Sequence, residues 1–139
     1  MSFYPYLNFD GTAKEAFTRY QEIFGGELIV LGMDAVPGGD PVPEGFEGRT
    51  IHAALKLDGG GLLMASDTAP GQAPAPQGLY VNYMAADADT ARTVFDALVE
   101  GGSVEQPMEE TFFSPAFGVG TDRWGTPWMI SVVTEPPAA

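Results

Sequence analysis

Positions 117–133 read FGVGTDRWGTPWMISVV. Aromatic and β-branched residues dominate both ends of this stretch, as they do in half-buried strands. Asp122 and Gly125 stand between these ends, and both residue types tolerate the sharp backbone geometry of a turn. The stretch therefore predicts a β-hairpin near the carboxyl end of the chain.

An amphipathic helix is predicted near the amino end. Thr12 and Glu15 match the Thr-x-x-Glu capping box that starts many helices, and Gly25 with Gly26 provides a stop signal. The apolar residues between these signals recur at helical spacing, at Ala13, Ala16, Phe17, Tyr20 and Phe24.

A second helix is predicted from the same kinds of start and stop signals. Asp87 or Asp89 can cap its start, and it ends at Glu100 before Gly101 and Gly102. Its apolar face consists of Ala91, Val94, Phe95 and Leu98. The two glycine pairs start at positions 25 and 101, which are 76 apart, so the chain contains an internal repeat.

Strand candidates flank each helix in the same order. They lie at 3–9, 27–31, 50–57 and 62–66 in the first half and at 79–85, 103–105, 116–120 and 128–133 in the second. The order predicts an α+β fold of two tandem βαβββ modules, because so long a repeat does not suit a solenoid. We expect one domain over 1–139, with module one at about 1–69, a Pro-rich linker at about 70–77 and module two at about 78–134.

Two segments rich in proline or glycine interrupt this pattern. Positions 36–48 hold three prolines and four glycines, which predicts a long loop that serves either as a lid or as a simple connection. Positions 135–139, EPPAA, are predicted to be a frayed tail.

Composition narrows the class of protein. The chain has 139 residues, of which 45% are hydrophobic, and it lacks both cysteine and an apolar tract long enough to span a membrane. Its start has no basic region with an apolar core, so we expect a cytoplasmic location. Nineteen acidic residues against six basic ones give a net charge of -13, which disfavours nucleic acid and anionic membranes as partners.

The whole pattern resembles the vicinal oxygen chelate superfamily, the glyoxalase and bleomycin-resistance fold, and within it the PhnB-like branch. The segments that carry the resemblance are PYLNFDG at 5–11, YQEIFGGEL at 20–28, LMASD at 63–67, ETF at 110–112 and DRWGTPWMI at 122–130. The resemblance implies two modules that form a curved mixed sheet around one cavity. It also implies a homodimer.

Metal-dependent members of this superfamily hold a divalent ion with His or Glu from the first and last strands of each module. The matching positions here are near Tyr4, Met64, Tyr80 and Met129, and none of these is a usual ligand for such an ion. We therefore expect no metal and no other cofactor.

Strand alternation predicts which side chains turn away from the helices. If Leu7 and Phe9 pack beneath a helix, the residues between them face the other way. This alternation predicts ligand-binding positions at Tyr4, Tyr6, Asn8, His52, Met64, Ser66, Tyr80, Asn82, Met129 and Ser131. Together they suit a small organic ligand held by apolar walls with a few polar groups, although Met64 and Met129 could equally fill space.

Two residues are candidates for proton transfer. His52 is the only histidine, and histidine is a common general acid or base, but a histidine with no evident partner is often structural. Glu110 is the acidic residue that we place nearest the cavity mouth, or else it is a solvated charge at a strand end.

Two functions fit these residues. The first is a small-molecule binding protein of the bleomycin-resistance kind that lacks the metal site. The alternative is a metal-independent or atypical lyase- or isomerase-like enzyme on the same scaffold. A pure interaction role is a third possibility, because one scaffold can host many functions.

Overall fold

A computed structural model describes residues 2–35 and 42–134. The elements are β1 Tyr6–Phe9, α1 Ala13–Phe24, β2 Glu27–Gly32, a 3₁₀ turn at Met33–Ala35, β3 Thr50–Lys56, β4 Leu62–Asp67, β5 Val81–Ala85, α2 Ala88–Val99, β6 Ser103–Glu109, β7 Phe117–Thr121 and β8 Pro127–Val132. The predicted order of one strand, one helix and three strands, written twice, is confirmed.

The chain divides into two compact units, 1–75 and 76–139. In the first unit the strands form sheet 1 in the order β1-β4-β3-β2, and α1 packs on one side of it. In the second unit sheet 2 has the equivalent order β5-β8-β7-β6, and α2 packs on one side. Each sheet is mixed. β1 pairs with β4, and β5 with β8, in parallel, while the other neighbouring strands are antiparallel.

The strand registers of the two units correspond. Tyr6 lies opposite Met64 in sheet 1, and Asn82 lies opposite Met129 in sheet 2. Positions 6 and 82 are 76 apart, which is the spacing of the glycine pairs. The internal repeat of the sequence is therefore also a repeat of structure.

Buried and exposed side chains alternate along β1, and buried and partly buried ones along β4 and β8. Leu7 and Phe9 are buried in β1 while Tyr6 and Asn8 are exposed, as the alternation predicts. The same pattern holds in β4 and β8, where every second side chain is buried. Phe17 and Tyr20 of α1 are fully buried, and burial of each such side chain contributes about 1.5–3 kcal/mol.

Helix α1 starts differently from the prediction. Thr12 occupies the cap position, but its side chain makes no capping hydrogen bond. The prediction of a capping box formed by Thr12 and Glu15 is therefore wrong. Asp67, at the end of β4, takes this role instead. Its Oδ1 accepts hydrogen bonds from the N–H groups of Gly11 (2.9 Å) and Ala13 (3.0 Å), and its Oδ2 accepts one from Thr50 (2.8 Å).

The other predicted helix signals are confirmed. Asp87 caps α2, because its Oδ1 accepts a hydrogen bond from the Thr90 N–H at 2.7 Å. Gly26 and Gly102 follow the two helices at equivalent places. A Cβ on Gly26 would overlap the Lys56 carbonyl oxygen, and one on Gly102 would overlap the Thr121 carbonyl oxygen, so each site admits only glycine without rearrangement.

The predicted carboxyl-terminal hairpin is confirmed, and Asp122 organises it. Its Oδ1 accepts hydrogen bonds from the N–H groups of Trp124 (2.9 Å) and Thr126 (3.0 Å), and its Oδ2 accepts one from Trp128 Nε1 (2.9 Å). Trp124 is half-buried, with the Arg123 guanidinium over its ring at 5.3 Å.

Strand β6 is longer than predicted. It runs from Ser103 to Glu109, beyond the expected end at position 105. Pro107 and the register shifts after Val104 and Gln106 hide the strand pattern in the sequence. Because β6 lies at the edge of sheet 2, it can carry a proline that a central strand could not.

Parts of the Pro/Gly-rich predictions fall outside the described residues. Positions 36–41 of the predicted loop and the whole predicted tail at 135–139 are in this category. Over 42–48 the loop contains no helix or strand, as predicted, and two turns shape it. In these turns the Phe46 N–H donates to the Pro43 carbonyl and the Arg49 N–H donates to the Phe46 carbonyl.

Across the described ranges, no helix is long and apolar enough to cross a membrane.

Candidate functional site

Each sheet has one side that its own helix does not cover, which we call its open face. On the open face of sheet 1 the structure brings together Tyr6, Asn8, Met64 and Ser66, because Tyr6 pairs with Met64 and Asn8 pairs with Ser66. Tyr6 is 47% exposed, and Tyr4, just before the strand, is 49% exposed. The open face therefore presents aromatic and thioether groups beside a hydroxyl and an amide.

His52 belongs to this group and has a partner. The Tyr6 hydroxyl lies 3.2 Å from His52 Nδ1, and the two ring centroids are 5.9 Å apart. Tyr6 reaches His52 across β4, which lies between β1 and β3 in the sheet. In the tautomer with its proton on Nε2, His52 Nδ1 accepts a hydrogen bond from the Tyr6 hydroxyl. The sequence alone showed no partner for this histidine, and the fold supplies one.

An apolar rim on β2 extends this face. The register places Leu31 opposite His52 and Ile29 opposite Ala54, so their side chains share the open face. Ile29 is 51% exposed and Leu31 is 40% exposed. Sequence reasoning missed both residues, because ELIVLG shows no alternation between polar and apolar positions from which a face could be assigned.

The open face of sheet 2 carries the equivalent predicted residues. Asn82 pairs with Met129, and Met84 pairs with Ser131. Met84 is 45% exposed. Val119 lies opposite Met129 on the same face and is buried. The structure therefore brings the predicted residues Asn82, Met129 and Ser131 together within this unit.

Tyr80 takes part in a polar cluster that the sequence did not predict. Its hydroxyl donates to Glu105 Oε2 at 3.1 Å, and the Thr121 hydroxyl donates to Glu105 Oε1 at 3.3 Å. Glu105 raises the pKa of Tyr80, first through the hydrogen bond that holds the phenolic proton and then through its negative charge. No spacing in the sequence pointed to Glu105, because the register shift beside it breaks the strand pattern.

The contact between Tyr80 and Glu105 crosses sheet 2 from one edge to the other. Tyr80 directly precedes β5, and Glu105 lies on β6, at the opposite edge of the sheet. In a flat sheet these edges would be about 14 Å apart, since neighbouring strands are spaced about 4.8 Å apart. The two long side chains together bridge this distance across the open face.

Comparisons with known proteins agree with this architecture, although no protein-family model matches the chain. Protein YjdN of Escherichia coli (strain K12) is 30% identical over 142 aligned positions, covering 96% of each protein. The crystal structure of protein PA1353 from Pseudomonas aeruginosa is 33% identical with a TM-score of 0.83, covering 97% of this chain and 99% of that one. A PhnB protein from Bacillus cereus has a TM-score of 0.74 at 24% identity, covering 96% and 100%. The chain belongs to one family with YjdN and PA1353. Its fold is that of PhnB and of glyoxalase/bleomycin-resistance proteins, the fold of the vicinal oxygen chelate superfamily.

The divalent metal that this superfamily implies does not fit the residues present. The strand registers place Tyr6 beside Met64 and Asn82 beside Met129. Thioether sulfur, phenol and amide are poor ligands for Mg, Mn, Fe, Ni or Zn compared with imidazole and carboxylate. Among residues 2–35 and 42–134, no three His, Asp or Glu side chains stand close enough to hold an ion.

Glu110, the other predicted proton-transfer residue, directly follows β6 and is exposed. Its side chain has no hydrogen-bond or ion-pair partner in the described part of the chain. Of the two predicted proton-transfer residues, His52 therefore has a side-chain partner, Tyr6, whereas Glu110 has none among the described residues.

Proposed function

We propose that this protein binds a small organic molecule on the open faces of its sheets and does so without the divalent metal of its superfamily. The observation that carries the proposal is the exposed aromatic surface at β1. Tyr6, which pairs with Met64, and Tyr4, just before the strand, are each about half exposed. Apolar surface with a few convergent polar groups is typical of ligand sites. Asn8, Ser66 and His52 supply those polar groups.

The alternative is a metal-independent enzyme. The observation that favours it is the hydrogen bond between the Tyr6 hydroxyl and His52 Nδ1. A phenol and an imidazole in contact can relay a proton to or from a bound molecule, which is the basis of general acid–base catalysis. This alternative uses the same face, so a ligand bound there would support either function.

Metal-independent binding is the first testable prediction. A neutral aromatic probe, 2-phenylethanol, is expected to bind sheet 1 with a dissociation constant of about 1 mM, which corresponds to about -4 kcal/mol. We expect it to shift the amide NMR signals of β1, β3 and β4, with and without EDTA. Replacing Tyr6 by alanine should weaken binding about fivefold, because the ring provides about 1 kcal/mol of contact.

Phe3→Ala is the matched control, because Phe3 is a fully exposed aromatic residue outside the strands. This variant should bind the probe as the unaltered protein does. Elemental analysis of protein purified without a histidine tag should find far less than one equivalent of metal. One equivalent of a transition metal per chain, or loss of binding in EDTA, would contradict the proposal.

We also propose that the protein is a homodimer. Phe112 is fully exposed and Phe113 is 48% exposed, and the two rings stack edge to face at 5.1 Å. Such an aromatic patch is more stable when a partner covers it, and the edge strands β2 and β6 offer further pairing surface.

Light scattering at micromolar concentration should return twice the chain mass of 14.7 kDa. Changing Phe112 and Phe113 together to serine should shift the protein toward the monomer mass. Phe3→Ser serves as the control, because Phe3 is equally exposed and lies in the other unit. A mass of one chain for the unaltered protein would refute the dimer.

A further inference from the structure

The carboxylate of Glu105 lies on the open face of sheet 2 without a cationic partner. Tyr80 donates to one of its oxygens and Thr121 to the other, and both donors are uncharged hydroxyls. Glu105 is exposed, and within the described ranges it forms no ion pair. Tyr80 and Thr121 therefore orient the carboxylate, but they do not neutralise its negative charge.

The basic residues of this unit are engaged elsewhere. Arg92 and Arg123 are the only Lys, Arg or His residues in 76–139. The Arg92 guanidinium lies 3.6 Å from the Asp89 carboxylate. The Arg123 Nε donates to the Glu100 carbonyl oxygen, and its guanidinium covers Trp124. A cation that compensates Glu105 must therefore come from outside this unit.

The oxygens of Glu105 retain capacity for such a cation. A carboxylate has about four lone-pair positions, of which the two hydroxyls use two. A point donor such as an ammonium group can use the remaining positions. A guanidinium fork fits less well, since it needs both oxygens free on one side.

The surroundings suit the rest of an organic cation. The Tyr80 ring is joined to the carboxylate by its hydroxyl, and the residue is 45% exposed. Part of an aromatic side chain that can contact a cation or an apolar group therefore lies beside the carboxylate. Further along the same face, Met129 and Met84 add adaptable apolar surface. The net charge of -13 further favours a cationic ligand over an anionic one.

We propose that Glu105 and Tyr80 form a recognition site for the primary ammonium group of an organic ligand, whose apolar part lies over the open face of sheet 2. This inference rests on the proposed small-molecule function and narrows its ligand to organic amines. Glu105 binds the ammonium group, Tyr80 contributes its ring, and Thr121 holds the carboxylate in place.

Three probes of similar shape and different charge test the site. These are 2-phenylethylamine, 2-phenylethanol and phenylacetate, each titrated at pH 7 against the full chain while amide NMR signals of β5, β6 and β8 are followed. The amine should bind about tenfold more tightly than the alcohol, because a charge-assisted hydrogen bond contributes that much or more. Phenylacetate should bind more weakly than the alcohol.

Glu105→Gln should lower the affinity for the amine about tenfold, to that of the alcohol. Glu109→Gln is the matched control, because it removes the same charge from the same exposed strand and should leave the affinity for the amine unchanged. Tyr80→Leu should weaken amine binding as well, through loss of the ring.

Each failure has a separate meaning. Equal binding of amine and alcohol, with no effect of Glu105→Gln, would overturn the ammonium site and leave small-molecule binding intact. Equal losses in Glu105→Gln and Glu109→Gln would show that only net charge attracts the amine, which also overturns the site. If no probe shifts sheet 2, both the ammonium site and the use of this sheet for binding are refuted.

Discussion

Replacing Asp67 by alanine is expected to lower the free energy of unfolding by about 3–5 kcal/mol, because three backbone N–H groups would lose their acceptor. These are the N–H groups of Gly11, Ala13 and Thr50. Gly11 lies just before α1, Ala13 is the first residue of α1 and Thr50 is the first residue of β3. The carboxylate at the end of β4 therefore joins this strand to the start of α1 and to the start of β3. Urea denaturation followed by circular dichroism measures the change.

Two companion variants separate this explanation from a general effect of losing charge. Asp67→Asn keeps one oxygen and should cost about 1–3 kcal/mol, since an amide cannot accept at both positions. Asp58→Ala removes an equal charge in the β3–β4 turn and should change stability by less than about 0.5 kcal/mol. An Asp67→Ala variant as stable as Asp58→Ala would contradict the assigned role.

Thr12→Ala distinguishes this arrangement from the capping box that the sequence suggested. A threonine that caps a helix through its side chain contributes about 1 kcal/mol. Because the Thr12 side chain makes no such bond, its replacement should cost less than about 0.5 kcal/mol. The same urea titration supplies the measurement.

The two helix starts show how far local sequence signals reach. Asp87 caps α2 from three residues away, and such a short spacing can be recognised in the sequence. Asp67 serves α1 from 54 residues away, and only the parallel pairing of β1 with β4 brings it there. Signals of the first kind are local and predictable, whereas those of the second kind require the tertiary fold.

The candidate site divides in the same way. Alternation along β1 was sufficient to place Tyr6 and Asn8 on one face, because a regular strand has a fixed period. It could not pair Tyr6 with His52, since that contact crosses an intervening strand. Glu105 escaped prediction because the irregular register of β6 breaks the period beside it.

Replacing Asp122 by alanine is the second change for which we expect a large effect, about 3–5 kcal/mol of destabilisation. The carboxylate accepts hydrogen bonds from the backbone N–H groups of Trp124 and Thr126 and from the indole N–H of Trp128. Asp122 is buried and Trp128 is almost completely buried, so water cannot replace the lost acceptor without opening the hairpin. Urea denaturation followed by tryptophan fluorescence measures the loss.

A double-mutant cycle with Trp128→Phe tests whether the indole contact accounts for part of this effect. In the Trp128→Phe background no indole N–H remains to be left unpaired, so Asp122→Ala should cost about 1–3 kcal/mol less than in the unaltered protein. Asp96→Ala, an exposed position on α2, provides the charge-matched control and should be nearly neutral. If Asp122→Ala lowered the free energy of unfolding equally in both backgrounds, the hydrogen bond to Trp128 would contribute nothing. The carboxylate would then stabilise only the turn, through Trp124 and Thr126.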